Sequence, residues 1–300
     1  MEFQAAGGLV TMRLQDRFAW GRRTYVMGIL NVTSDSFSGD GMGEAGKVTV
    51  GRAVDQARAF AAAGADILDI GGESTRPGSE PVTAATERNR VVPVINAVRD
   101  ALPGIAVSID TYRAETAEAA LDAGADMVND VWGLRADPDL GPLAASRRAP
   151  VILMHNRSKP GAAVMDARLG GEYDAPDYND LLTDVQTDLA ALAANAEATG
   201  IDKNQIVLDP GLAFGKTVEQ NLDLIDQLGF LKSLGYPLLV GPSRKSFVGK
   251  VLNLPVEERV EGTAATVAIA IARGADIVRV HDVEAMVRVA RMADAIVRKG

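Results

Sequence analysis

Short apolar runs of strand length recur along the whole chain, each followed by a polar or glycine-rich loop and then by a helical pattern. Eight can be counted: YVMGIL from Tyr25, DILDI from Asp66, IAVSI from Ile105, DMVN from Asp126, PVILM from Pro150, QIVLD from Gln205, PLLVG from Pro237 and DIVRV from Asp276. Near-continuous apolar strands separated by helices predict a parallel sheet covered on both faces. The helices show in the other period. Val50, Val54, Ala57 and Ala61 fall at i, i+4, i+7 and i+11, on one face, and Gly64 follows as a left-handed cap. The same joint, a helix, then glycine-alanine, then a strand opening on aspartate, returns at Gly124-Ala125-Asp126 and Gly274-Ala275-Asp276.

Eight strand-helix units in about 275 residues match an eight-stranded (β/α)8 barrel of the α/β class. The runner-up is an open doubly wound sheet. It would favour a glycine fingerprint after the first strand, where Asn31-Val32-Thr33-Ser34-Asp35 stands instead. Residues before Tyr25, with Arg22-Arg23 after Trp20-Gly21, predict a short N-terminal hairpin plugging the lower end of the barrel. No linker or compositional break interrupts residues 1–300, so one domain is expected, with the barrel proper from about 25 to 298. The longest connection, Arg157 to Asp180, carries Pro160, Gly161, Gly170, Gly171 and Pro176. Length alone does not decide whether it is a lid or an insertion.

Composition narrows the chemistry. With no cysteine, disulfide scaffolds, thiolate nucleophiles and cysteine-ligated metals are excluded. Two histidines, His155 and His281, cannot make a three-histidine centre, so any metal would be a hard, oxygen-ligated ion such as Mg2+. Forty acidic against 31 basic residues give a net charge of -9, and aromatics are 5%, which speaks against nucleic acid as a partner. No stretch approaches roughly 18 consecutive apolar residues, and no membrane association is expected. A cytoplasmic location is the expectation.

In such a barrel the chemistry sits at the carboxyl ends of the strands, and these ends are polar. Asn31, Arg76, Arg279 and His281, with Arg244 or Lys245 alongside, are expected on one cationic arc, suited to phosphate or carboxylate oxygens. Asn31 would add one oxygen to a magnesium ion whose other ligands come from phosphates. The opposite arc, Asp110, Asn129 and Asp209, is rich in acceptors and has no basic neighbour in sequence. Together these predict a slot for a flat, donor-rich ring attached to a polyanion. Singly, each has a plain alternative: Asp209-Pro210-Gly211 is turn sequence, Asn129-Asp130 a helix cap, Arg76 and Lys245 surface charge, His281 a helix-start histidine. Glu73 is set aside as a loop acid. It is the joint placement at strand ends that carries weight.

Those loops resemble the dihydropteroate synthase family over nearly the whole chain, from about Tyr25 to Val297. The segments are GILNVTSDSFSGDG from Gly28, DIGGESTRPG from Asp69, SIDTYR from Ser108, MVNDVWG from Met127, VILMHNRS from Val151, LDPGLAFGKT from Leu208, GPSRKSFVG from Gly241 and IVRVHDV from Ile277. The resemblance implies a barrel that joins 4-aminobenzoate to 6-hydroxymethyl-7,8-dihydropterin diphosphate. It implies a pterin slot at Asp110, Asn129, Asp209 and Lys245 with Met154 beneath the ring, and diphosphate contacts at Thr75, Arg76, Arg279 and His281. It further implies magnesium on Asn31, an aminobenzoate side at Phe37, Pro77 and Ser246, and a homodimer through outer helices. Lys245, Arg279, Asp110 and Arg76 are then the residues expected to carry the chemistry. Ser34 stands where the family commonly has proline, Ala213 where it often has glycine, and the connection after Arg157 is long. Three rivals share parts of the pattern: a methyltetrahydrofolate-linked methyltransferase, a Schiff-base aldolase using Lys245, and a non-catalytic pterin-binding paralogue.

Overall fold

The computed structural model describes residues 13–32, 50–74, 81–158, 163–164, 172–173 and 177–298. Eight parallel strands form its centre: β1 (Tyr25–Asn31), β2 (Ile67–Gly71), β3 (Ala106–Asp110), β4 (Met127–Asp130), β5 (Val151–Met154), β6 (Ile206–Asp209), β7 (Leu239–Val240) and β8 (Ile277–Val280). Each expected run became a strand, with boundaries moved by one or two residues. β1 pairs with β8 on one side and β2 on the other. A parallel bridge between Leu208 and Leu238 joins β6 to β7 and closes the ring, so the barrel, and not the open sheet, is what forms. Helices follow the strands in turn, among them Val50–Ala63, Ala84–Ala101, Leu181–Ala198, Val260–Ala272 and Val283–Val297.

The two-residue period of the strands divides the apolar side chains into two separate cores. Val26, Leu68, Ile70, Val107, Ile109, Val128, Leu153, Leu208, Val278 and Val280 point outward and pack under the helices. Tyr25, Met27, Ile67, Ala106, Met127, Ile152, Val207, Leu239 and Ile277 point inward and fill the lower half of the barrel. Two residues further along β2, β3, β4, β6 and β8 the inward phase turns polar, at Asp69, Ser108, Asn129, Asp209 and Arg279.

The glycine-alanine-aspartate joint has one physical function at all three positions. The glycines at 64, 124 and 274 take φ of 100°, 106° and 106°, a region that suits glycine. Each aspartate then accepts an amide at or next to the start of the preceding strand in the ring: Asp66 from Val26 N, Asp126 from Val107 N, Asp276 from Leu238 N. Each is also paired with a cation, respectively Arg23, Arg99 and Lys232. The motif thus ties neighbouring strands together at the lower rim.

The N-terminal hairpin does not form among the described residues. Leu14–Arg17 is a single helical turn, followed by a turn at Trp20 and Gly21. Plugging does occur: Leu14 and Phe18 are buried in the inward core, and Phe18 contacts both Trp20 and Tyr25 edge or face. A glutamine far away in sequence holds the turn, since Leu14 N donates to Gln205 Oε1 at 2.9 Å.

Asp276→Ala removes the buried acceptor of Leu238 N and leaves that amide without it, and is expected to cost about 2 kcal/mol in urea unfolding. Asp226→Ala, which breaks the exposed pair with Arg273, should leave the midpoint where it was.

Candidate active site

The upper inward positions of the strands bring the expected residues into one mouth. Asn31, Gly71, Asp110 and Asn129 stand side by side in register across β1 to β4, and Met154 is level with Asp209 across β5 and β6. At the centre is Arg279 on β8. Its Nε donates to Asp69 Oδ2 at 2.6 Å and its Nη2 to Asp110 Oδ2 at 2.7 Å. Asn129 Nδ2 donates to the same Asp69 oxygen at 3.0 Å. The other Asp69 oxygen is buried with no hydrogen-bond donor among the described residues.

This arrangement corrects the expectation of two opposite arcs. Arg279 does not lie apart with the cations: it bridges to the acceptor side and neutralises part of it. Arg244 is not on the arc either, because it pairs with Asp282 at the outer edge. Asp69 escapes a reading confined to the residues after each strand core. Its phase gives it away, two positions beyond inward-facing Ile67.

The sixth loop forms the far wall. Asp209 is buried, and its Oδ1 accepts Gly211 N at 2.7 Å, closing the Asp-Pro-Gly turn. The plain turn reading is right for this residue, and it does not compete with a binding one. Gly211 has φ of 69°, and a β-carbon there would lie 1.9 Å from the His155 carbonyl oxygen. Lys245 Nζ donates to Leu212 O at 2.6 Å and sits 4.8 Å from the Phe214 ring centroid, so its charge closes the gap between β6 and β7. Behind the turn, Lys216 is almost wholly buried and donates to Gly211 O, Phe214 O and His155 Nδ1. Lys216 carries no strand-end signal, and nothing in the sequence pattern singles it out.

The electrostatics follow from burial. Loss of water pushes the Asp110 carboxyl up to about 7, although Arg279 draws it down. Asp209 is raised for the same reason, against the pull of Lys245. Burial lowers Lys245 to about 8 and Lys216 to about 7. For Arg279 burial works against the charge, but Asp69 and Asp110 outweigh it and raise its pKa. The mouth is thus a compensated cluster of acids and bases whose members are all sensitive to a charged ligand.

Other expected residues fall around it. His281 follows β8, and its backbone N and ring Nδ1 both meet Ser243 Oγ, at 3.1 and 3.0 Å. Ser246 begins the helix after Lys245. Met154 is buried against the Gly211 turn. Asp130 accepts Trp132 N and Leu134 N and so closes the turn after β4; it caps no helix, since the next one begins at Leu140 with Asp139 as its N-cap. Glu73 is held by Arg113 and Tyr112, away from the mouth. Ser34, Phe37, Thr75, Arg76 and Pro77 lie outside the described residues. Among the described residues no group of three histidine or acidic side chains is placed to hold a metal. A cavity of about 730 Å³ opens at the other end of the barrel near Arg13 and Arg148, but both arginines are exposed and no buried acid faces them.

The model of the pterin-binding enzyme family matches residues 27–281. A dihydropteroate synthase from Synechocystis is 51% identical over 95% of this chain and 94% of its own. This chain belongs to the dihydropteroate synthase family. Among solved structures, the dihydropteroate synthase from Clostridium difficile, crystallised in the presence of pteroic acid, superposes with a TM-score of 0.84 at 44% identity, over 94% of this chain and all of that one. The Xanthomonas albilineans dihydropteroate synthase in complex with 7,8-dihydropteroate gives 0.80 at 37%, over 95% and 98%.

Departures from the dihydropteroate synthase pattern have visible consequences. Ala213 adopts φ of 66°, a conformation glycine takes freely and alanine only at a cost of about 1 kcal/mol. Its amide is held there by Asn221 Oδ1 at 2.6 Å. The long connection contains a two-stranded antiparallel ribbon, Ala163–Val164 with Glu172–Tyr173.

Gly211→Ala should be far more disruptive than any neighbouring change. Its methyl collides with the His155 carbonyl, so a loss of more than about 2 kcal/mol in denaturant unfolding is expected. A variant as stable as the parent would show that the turn is not as tight as described.

Proposed function

We propose that this protein condenses 6-hydroxymethyl-7,8-dihydropterin diphosphate with 4-aminobenzoate, forming 7,8-dihydropteroate and pyrophosphate. The observation that carries the reading is the mouth itself. There Asp69, Asp110, Asn129 and Asp209 converge with two cations, and one buried acid oxygen has no partner among the described residues. A pterin ring has N–H donors on one edge and acceptors on the other. Asp110, Asn129 and Asp209 suit the donors, Lys245 suits the acceptors, and buried Met154 offers an apolar surface beneath the ring.

With the ring fixed, the exocyclic CH2–O bond breaks with its electron pair going to the diphosphate. The amine nitrogen of 4-aminobenzoate donates its lone pair to that carbon and then loses a proton. No side-chain nucleophile is needed, since the arylamine is one already. Arg279 and His281 stabilise charge on the leaving diphosphate, together with Thr75 and Arg76. Phe37, Pro77 and Ser246 are assigned to orienting the arylamine and excluding water.

Magnesium fits the donor set at Asn31, where one neutral carboxamide oxygen suits an ion that takes most of its ligands from phosphate and water. When bound it would neutralise the diphosphate charge. The same substrate supports a cytoplasmic location, because a pterin carrying a diphosphate does not cross a lipid bilayer unaided.

A homodimer is supported by the outer face of two adjacent helices. Ala265 and Ala272 are exposed on either side of Ile269, which is 48% exposed, and the neighbouring helix presents Met292 and Ile296 at 64% and 58%. A shared apolar patch of this kind favours burial between two copies.

The test of function is pyrophosphate release from the pterin diphosphate, run with and without 4-aminobenzoate. Release and pteroate formation that depend on the arylamine are expected, and release indifferent to it would contradict the condensation. Arg279→Ala should lower kcat/KM by about a hundredfold or more, while Asp209→Asn should act mainly on the pterin KM. Either variant behaving as the parent removes that assignment. In light scattering the chain should weigh about twice its 31.5 kDa, and Ile269→Asp combined with Met292→Asp should halve that value. A parent already monomeric rules the dimer out.

A further inference from the structure

Lys216 and His155, both buried, and the partly exposed Asp188 form a relay that the condensation described above does not use. Lys216 Nζ is 2.9 Å from Gly211 O, 3.2 Å from Phe214 O and 3.0 Å from His155 Nδ1, so its three protons are all donated. An ammonium donating to Nδ1 fixes the tautomer of His155, whose proton must then be on Nε2. That nitrogen faces Asp188 Oδ2 at 3.1 Å. Asp188 also accepts Arg157 Nε at 2.7 Å, and the Arg157 guanidinium lies 4.8 Å from the Tyr178 ring centroid and pairs with Asp184. Arg157 and Tyr178 stand at the two ends of the long connection after β5.

We propose that Lys216 is a positioning residue for the pterin side of the site: it pins the Asp209-Pro210-Gly211 turn from behind, and His155 and Asp188 hold it there. The inference rests on the condensation reading above. Its physical basis is that Asp209 is aimed by a turn whose Gly211 carbonyl is anchored only a few atoms away by this ammonium. The Leu212 carbonyl, which receives Lys245, belongs to the same loop. Releasing the anchor therefore moves both an acceptor and a donor for the ring, and leaves the aminobenzoate side alone.

The anchor is also sensitive to pH. Burial lowers Lys216 to about 7, helped by Lys245 from the loop after β7 and Arg157 from that after β5, and opposed by Asp209 from β6 and Asp188 from the helix Leu181–Ala198. His155, lowered to about 3 by burial and then by Lys216, stays a neutral acceptor throughout. Raising the pH through the Lys216 titration removes the ammonium, and pterin binding should weaken in step.

The test measures KM for each substrate as a function of pH in the parent, in Lys216→Met and in Asp188→Asn. Lys216→Met should raise the pterin KM about tenfold at mildly acidic pH with the aminobenzoate KM within about twofold, and should remove the part of the parent's rise near neutrality that Asp188→Asn displaces, leaving the part owed to Asp110 and Lys245. Asp188→Asn, at a partly exposed position, should shift that rise to lower pH, because it withdraws a charge that favours the ammonium. It decides the matter alone if Lys216→Met does not fold. Equal rises in both KM values with the pH profile unmoved would mean a general loosening of the barrel, and would overturn the proposal, as would parental behaviour in both variants. If the parent releases no pyrophosphate, the condensation reading fails and not this one. Calorimetric titration with pteroic acid over the same pH range then takes the place of the pterin KM, with the same results supporting or overturning the anchor.

Discussion

A partly buried guanidinium held between two carboxylates governs this molecule. Arg279 sits on an inward strand position, and its charge is tolerated there, largely shielded from water, because Asp69 and Asp110 are both within hydrogen-bond reach. The arrangement is asymmetric in a useful way. Two acids share one base, one acid oxygen has no donor among the described residues, and burial opposes the ionisation of both Asp110 and Arg279. A ligand that brings N–H donors on one side and a polyanion on the other relieves both imbalances at once.

The barrel holds that cluster in phase. Inward positions are apolar at the bottom and charged at the top of the same strands, so the lower core sets the height and rotation of the acids and bases above it. The aspartates at the lower rim tie β1, β3 and β7 to their neighbours, which protects register where no active residue sits. Stability and chemistry are thus divided between the two ends of the barrel, as its topology allows.

Much of this is legible in the chain. The eight runs, the glycine-aspartate joints and most mouth residues can be read because strand cores and the loops after them differ sharply in polarity. Asp110, Asn129, Asp209 and Arg279 fall in the last two residues of their strands, His281 directly follows β8, and Lys245 lies further on, at the start of the helix after β7. What the pattern does not reveal has physical causes. Sorting residues by charge separates Arg279 from Asp110, whereas a long guanidinium crosses the mouth to reach the acid. Asp69 is hidden inside an apolar run, though the alternation that sends Ile67 inward sends Asp69 inward as well. Lys216 lies in a loop with no period at all, and only the fold reveals that it backs onto His155. In place of the hairpin suggested by Trp20-Gly21 there is a helical turn, because an apolar plug needs Leu14 and Phe18 on one side, which a helix supplies in a single turn.

On this reading Arg279 and Asp69 act as a unit in shaping the pterin slot. A double-mutant cycle of Asp69→Asn and Arg279→Gln, read out as calorimetric affinity for pteroic acid, measures that coupling without intermediaries. At least about 1.5 kcal/mol of coupling between the two positions is expected. Free energies that add to within about 0.5 kcal/mol would show the pair to be independent, and the slot would then owe its shape to something other than the Arg279 guanidinium.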